Sequence, residues 1–212
     1  MLSVDRWSVN GVFWVAKLHP VGRKEQAAAS RAGLVEAARQ CFVAYGYEAT
    51  TVAGVLERAG MARGALYHYF PGGKRELFTA VFDVVDGAFH QRRDAVFAVE
   101  SPLGRIREGV RVFFDLCTKE EFARIVLIDA PNVVPSQTEL GSSFDLLRTQ
   151  LREALDAGEA REFQVEVMAT TLYGAVRRAG EFVFAAPDRR HASDEAARAI
   201  DLLLDGLQHP RA

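Results

Sequence analysis

The sequence predicts an all-α protein of about nine helices: an N-terminal three-helix unit of helix-turn-helix type, then a larger C-terminal helical domain. Three observations carry this. Apolar residues recur at helical spacing through most of the 212 residues, no period-2 alternation is long enough for a sheet, and Gly46, Gly60, Pro71 and Pro102 stand at the ends of periodic segments.

In the first helix Leu34, Ala38, Cys41, Phe42 and Tyr45 form one stripe, and Gly46 takes the position of a C-terminal glycine. Thr50 and Thr51 offer an N-cap to a short helix that carries Val52, Val55, Leu56 and Ala59 on one face and closes at Gly60. A second short helix runs from about Ala62 to Phe70 and stops at Pro71-Gly72-Gly73. The next has Leu77, Val81, Val84 and Ala88 as its core stripe, widened by Phe78, Val85 and Phe89. Ser101-Pro102 opens a helix by the proline-at-N1 rule, with Ile106, Val110, Phe113, Phe114 and Cys117 inward. Phe122–Asp129 reads as a buried helix ended by Pro131. Residues 144–155 are amphipathic, and the last two helices span 164–185 and 193–207 around a polar loop with Pro187. Residues 1–24 form an irregular extension; a translation start placed too far upstream would look the same.

The whole-chain charge of −2 and pI of about 6.2 argue, taken alone, against a nucleic-acid partner. The distribution reverses that argument. Residues 1–82 hold ten Lys/Arg against six acids, net +4, which leaves −6 on the rest. On the third helix Ala62, Ala65, Leu66 and Tyr69 cluster on one side, and Arg63, Gly64, Tyr67 and His68 form the opposite face. A guanidinium suits guanine edges, and a phenol and an imidazole suit phosphate oxygens. A glycine lets backbone approach closely, at about 1 kcal/mol of helix propensity. The bland alternatives are an ordinary helical hairpin and a solvated Tyr-His surface. Arg23, Lys24 and Arg31 could serve as an arm toward phosphates, and Lys74 begins the fourth helix.

No apolar run approaches a membrane span, and no signal peptide is evident. Cys41 and Cys117 fall in apolar helical patterns, the pattern of buried free thiols in a cytoplasmic chain. No G-x-S-x-G or P-loop occurs, and the five histidines have no short-range partner for a metal, so neither a cofactor nor an enzyme is expected. A helical small-molecule-binding protein or enzyme that does not use DNA is the alternative.

From Ala37-Ala38-x-x-Cys41-Phe42-x-x-x-Gly46-Tyr47-x-x-Thr50-Thr51-Val52, through Ala59-Gly60-Met61-Ala62-Arg63-Gly64-Ala65-Leu66-Tyr67-His68-Tyr69-Phe70, to Lys74-x-Glu76-Leu77-Phe78, the chain closely resembles the DNA-binding domain of TetR-type (tetracycline-repressor-like) regulators. The resemblance covers about residues 27–82. It implies a DNA-binding domain at 25–82 and a ligand-binding and dimerisation domain at 83–212. It further implies a homodimer on a palindromic double-stranded operator, released by a small-molecule effector, with Thr51, Ala62, Arg63, Gly64, Tyr67, His68 and Lys74 at the DNA. Ala62 departs from the serine common at that turn and loses a hydroxyl contact, Gly54 replaces a residue usually acidic or polar, and Pro71-Gly72-Gly73 is one residue longer than the usual link.

For the C-terminal part, Phe113, Cys117, Phe122, Val126, Phe144, Leu147, Met168, Leu172 and Phe182 are candidates for a cavity that would take an apolar or aromatic effector, although plain core is the favoured reading of any one of them. Asp129, Arg178 and Glu181 are charged groups in apolar helices, able to orient a polar part of it or to pair with each other. Tyr173, Val176, Leu203 and Leu207, with the small residues Ala169, Gly174, Ala175, Ala179 and Gly180, are candidates for the dimer surface.

Overall fold

The computed structural model describes residues 7–9, 12–14, 22–95, 101–134 and 139–208. Nine helices account for nearly all of these residues: α1 (Arg23–Ala49), α2 (Val52–Ala59), α3 (Arg63–Tyr69), α4 (Lys74–Ala95), α5 (Pro102–Cys117), α6 (120–133), α7 (Glu139–Asp156), α8 (Val165–Ala185) and α9 (Arg189–Asp205). Within the extension expected to be irregular, β1 (Trp7–Val9) pairs antiparallel with β2 (Val12–Trp14), with Trp7 opposite Trp14. No helix among the described residues is long and apolar enough to cross a membrane.

The helix starts follow local chemistry. Glu25 reaches back to accept from the Gly22 N–H at the start of α1. The Thr51 hydroxyl caps α2 by accepting from Gly54 N–H at 3.1 Å, and Ser101 caps α5 in the same way ahead of Pro102. Ala62 precedes α3 without any side-chain cap. The α2–α3 turn passes through Gly60 in the left-handed region.

Leu34, Phe42, Leu66, Phe70, Leu77, Phe78 and Val81 form the sealed centre of the N-terminal unit. The Phe42, Tyr47 and Phe78 rings meet with centroids 5.0 to 5.9 Å apart. The boundary expected after residue 82 falls inside α4, where Phe78 meets Phe42 of α1 and Phe89 meets Phe113 of α5. A second core fills the space among α5, α6, α7, α8 and α9. Arg107 and Arg111 of α5 hold the last helix from outside through Asp201 and Asp205, at 2.6 to 3.0 Å.

Pro131 does not end its helix. Helix α6 runs as Glu120–Phe122, a π-wound stretch Ala123–Asp129, and a final turn Ala130–Val133 that contains the proline. A proline ring normally collides with the carbonyl one turn back; the wider i→i+5 winding just before it relieves that collision and lets the helix pass through.

Helix α1 breaks at Gly46, where φ is 76° and ψ is 169°. That combination is open only to glycine. Its missing Cβ would lie at ordinary distances, 3.7 Å from Arg124 and 3.8 Å from Asp129, so the constraint is torsional rather than steric. Gly46→Ala is expected to destabilise the protein by about 1–3 kcal/mol in chemical denaturation, without a change in the helical content of the native baseline.

Candidate DNA-facing surface and interior cavity

Leu66 is fully buried while Ala65 and Tyr69 are half-buried against the core, which fixes the rotation of α3. Arg63, Gly64, Tyr67 and His68 are therefore exposed together on its outer side, Tyr67 at 53%. Nothing stands within 4 Å of a Cβ built on Gly64, so no internal packing calls for a glycine there. Thr51 and Ala62 are exposed at the starts of the two short helices. Lys24 is exposed, the Arg31 guanidinium lies 4.7 Å over the Phe70 ring, and the side chain of Arg23 falls outside the described residues.

Lys74 is placed differently from the other predicted DNA contacts. Its ammonium turns inward, 4.2 Å from the centre of the Tyr47 ring, and donates to the carbonyls of Tyr47, Thr50 and Glu48 at 2.9, 3.1 and 3.4 Å. An ammonium has three protons, and all three are committed to this corner. The same corner is held from other sides. Thr50 donates its hydroxyl to the Gly46 and Cys41 carbonyls, and the Tyr47 N–H donates to Asp129 Oδ2 at 2.9 Å.

In the C-terminal domain a cavity of about 130 Å³ opens among α4, α5, α6, α7, α8 and α9. Five of the predicted residues line it: Phe113, Phe122, Val126, Leu147 and Leu172. Four do not. Cys117 packs against Gly180, and burial pushes its thiol up to about 12, so it stays protonated. Phe144 stands edge-on to Tyr173, Met168 packs on the surrounding core, and Arg178 lies exposed and paired with Glu181.

One residue along, at a step of about 100°, Arg177 lines the cavity instead and donates to the Leu127 carbonyl. Tyr173 and Val176, read from the sequence as dimer surface, also line it. Gly180 likewise turns inward, toward Phe113. Asp86, Phe89, Arg105 and Gln150 belong to the lining as well, and sequence reasoning missed them. The signal was available for two: Asp86 and Gln150 interrupt otherwise apolar stripes at core positions.

The exposed apolar side chains of α8 and α9 are Val167, Phe182, Leu202 and Leu203, while Leu207 is half-buried on the core. Phe182, 65% exposed, borders a shallow groove with Ala175, Ala179 and Ala196 rather than the cavity. Both cysteines are free and buried, and no group of three His, Cys, Asp or Glu among the described residues could hold a metal ion.

Helix α6 joins the two regions. Phe122 and Val126 face the cavity, whereas Glu121 pairs with Arg39 of α1, Asp129 accepts from Tyr47, and the Val133 carbonyl accepts from Arg75 Nε at 2.9 Å. Arg39 also grips Glu36 at 2.6 Å; with help from Gln40 it holds that carboxyl down to about 2. Burial pushes the Asp129 carboxyl above the usual range, against the pull of the Tyr47 N–H and Arg124.

Comparison with known proteins gives two separate family matches. Residues 34–81 match the family model for bacterial regulatory proteins of the tetR family, and residues 103–207 match that for the tetracyclin repressor-like C-terminal domain. The HTH-type transcriptional repressor AcnR of Corynebacterium jeikeium is 30% identical over 183 residues, 84% of this chain and 91% of that one. Among solved structures, a TetR-family transcriptional regulator of Pectobacterium atrosepticum superposes with a TM-score of 0.72 at 27% identity, covering 90% of this chain and all of that one. SmeT, the repressor of the Stenotrophomonas maltophilia multidrug efflux pump SmeDEF, gives 0.72 at 25% identity, with 87% and 93% covered.

The closeness of α5 and α8 gives a test of the cavity wall. A Cβ on Gly180 would come within 2.9 Å of Phe113 Cε1 and 3.0 Å of Cys117 Sγ. Gly180→Ala is expected to cost about 1–3 kcal/mol in chemical denaturation as the Phe113 ring is forced aside.

Proposed function

Since the chain belongs to the TetR family of bacterial transcriptional regulators, we propose that it is a repressor that binds a palindromic operator as a homodimer through α3 and is released when a small apolar or aromatic molecule fills the cavity. The carrying observation is the outer face of α3: Arg63, Tyr67 and His68, side chains suited to phosphates and base edges, are exposed beside Gly64 on a helix whose other side is locked into the core. Arg63 would read a guanine, Tyr67 and His68 would donate to phosphate oxygens, and Gly64 would let the backbone close on the groove. Lys74 contributes by fixing the α1–α2 corner that aims α3, rather than by a phosphate contact of its own.

The dimer reading rests on the outer faces of α8 and α9. Exposed Val167, Phe182, Leu202 and Leu203 on adjacent helices are the kind of apolar surface a symmetry mate covers. Response to an effector would run through α6. A molecule that shifts Phe122 and Val126 moves the same helix that holds Tyr47 and Arg39, and with them the orientation of α1.

Selection from a genomic DNA pool followed by footprinting tests the function. A palindromic footprint with affinity falling steeply as salt rises is expected, and absence of binding at low salt would refute it. Arg63→Ala should weaken operator binding by about 1–3 kcal/mol, Tyr67→Phe by less, and Gly64→Ala should weaken it while raising fold stability by about 1 kcal/mol. Footprints and affinities unchanged in all three would place the DNA surface elsewhere.

The α6 link is open to a second measurement. Asp129→Ala leaves the Tyr47 N–H without its acceptor and is expected to lower both stability, by about 1–3 kcal/mol, and the operator affinity of the ligand-free protein. Asp129→Asn keeps an acceptor oxygen and should fall much closer to the native protein in melting and anisotropy assays.

A further inference from the structure

The cavity lining is mostly apolar and is polar at particular points. Phe89, Phe113 and Phe122 form a triangle of rings with centroids 5.9 to 6.1 Å apart, tilted or edge-on to one another. Such an arrangement offers both edges and faces to a fourth ring. The volume of about 130 Å³ is close to that of an engineered apolar cavity, about 150 Å³, that holds a benzene. The body of the ligand is therefore limited to a single ring with small substituents.

The polar points are incompletely paired. Gln150 is only 5% exposed, and its Oε1 is buried with no hydrogen-bond partner among the described residues. Asp86, also 5% exposed, has His90 Nε2 at 2.9 Å from Oδ2, close enough for an ion pair but out of hydrogen-bonding alignment. Arg105 binds Glu153 through Nη2 at 2.8 Å, while its buried Nε–H donates to nothing described. Leaving buried polar atoms unpaired is costly, so a molecule that completes them is selected over one that does not.

These groups choose among ligand chemistries. Gln150 Oε1 and Asp86 Oδ2, which accept no hydrogen bond among the described residues, would meet an anionic ligand's oxygens lone pair to lone pair, while Arg105 and Arg93 already pair with Glu153 and Asp94 and Arg177 donates to the Leu127 carbonyl. A cationic ligand would meet Arg93, Arg105 and Arg177, all in the lining. A neutral hydroxyl fits, because it donates to one group while accepting from another.

We infer that the cavity takes a single-ring aromatic molecule bearing one or two hydroxyl groups, each donating its one proton to Gln150 Oε1 or to Asp86 and one of them accepting from Arg105. This rests on reading the cavity as the effector site.

Calorimetric titration of the full-length protein with phenol, catechol, resorcinol, toluene and benzoate tests the assignment. At least one hydroxylated ring should bind about tenfold tighter than toluene, with benzoate the weakest. Gln150→Leu should reduce that affinity about tenfold while toluene binding holds or improves. Its melting temperature should not fall, because it removes an unpaired buried oxygen. Asp86→Asn provides a second variant, expected to weaken the hydroxylated ligands alone. Toluene or benzoate binding tightest, or a hydroxyl preference unchanged in both variants, would overturn the assignment. Operator release is followed separately by anisotropy. Hydroxylated rings that bind without weakening operator affinity would overturn the effector reading and leave the ligand class standing. Operator release by toluene or benzoate in preference would overturn the ligand class and leave the effector reading standing.

Discussion

One cation organises the junction on which both halves of the molecule depend. The Lys74 ammonium, at the first residue of α4, gathers three carbonyls that the chain exposes as it leaves α1. Those carbonyls have no helical partner, because Gly46 has already broken the ladder with a torsion no other residue adopts comfortably. A half-buried set of unpaired carbonyls would be expensive, and a charge-assisted donor is the strongest remedy available. With the corner fixed, Thr51 is delivered to cap α2, and α2 delivers α3 with Leu66 inward. The exposed outer face of α3 is thus a downstream result of a contact made away from it, at the α1–α2 corner.

The same corner is where the second half takes hold. Asp129 accepts the Tyr47 N–H, and Asp129 lies at the end of the π-wound stretch of α6. A π turn is a looser way to wind a helix and is found where a segment has work besides packing. Here it reconciles three demands on fourteen residues: Phe122 and Val126 must face the cavity, Glu121 and Asp129 must face α1, and Pro131 must be passed. Regular α-helical winding would place these side chains at different angles and bring the proline against the carbonyl one turn back.

Much of the helical scaffold is legible in sequence because its signals are local. Thr51, Gly60, Ser101-Pro102 and the glycine at 46 each act within one turn of where they stand, and the two faces of α3 follow from helical periodicity alone. What escaped depends on partners distant in sequence. Lys74 reads as a surface cation beside α3, and only the fold brings the carbonyls of residues 47, 48 and 50 to it. Arg178 and Arg177 differ by one step of rotation, about 100°, too fine a difference for periodicity alone to assign one to solvent and the other to the cavity, and the same holds for Tyr173 and Val176, which line it. A continuous helix through Pro131 contradicts the usual rule, and nothing in the residues around it announces the wider winding. Asp86 and Gln150 were visible as polar interruptions of apolar stripes, and they are the groups that give the cavity its chemistry.

Because a single helix forms part of the cavity wall and part of the support for α1, influence along it cannot run in one direction only. If filling the cavity lowers affinity for an operator by some factor, occupation of the operator lowers affinity for the small molecule by the same factor. A DNA-bound copy is then the least sensitive detector in the cell, and free copies intercept the compound first. The concentration at which a promoter opens would accordingly be set by how many copies are in surplus over operators, as well as by the fit of the ring between Phe89, Phe113 and Phe122.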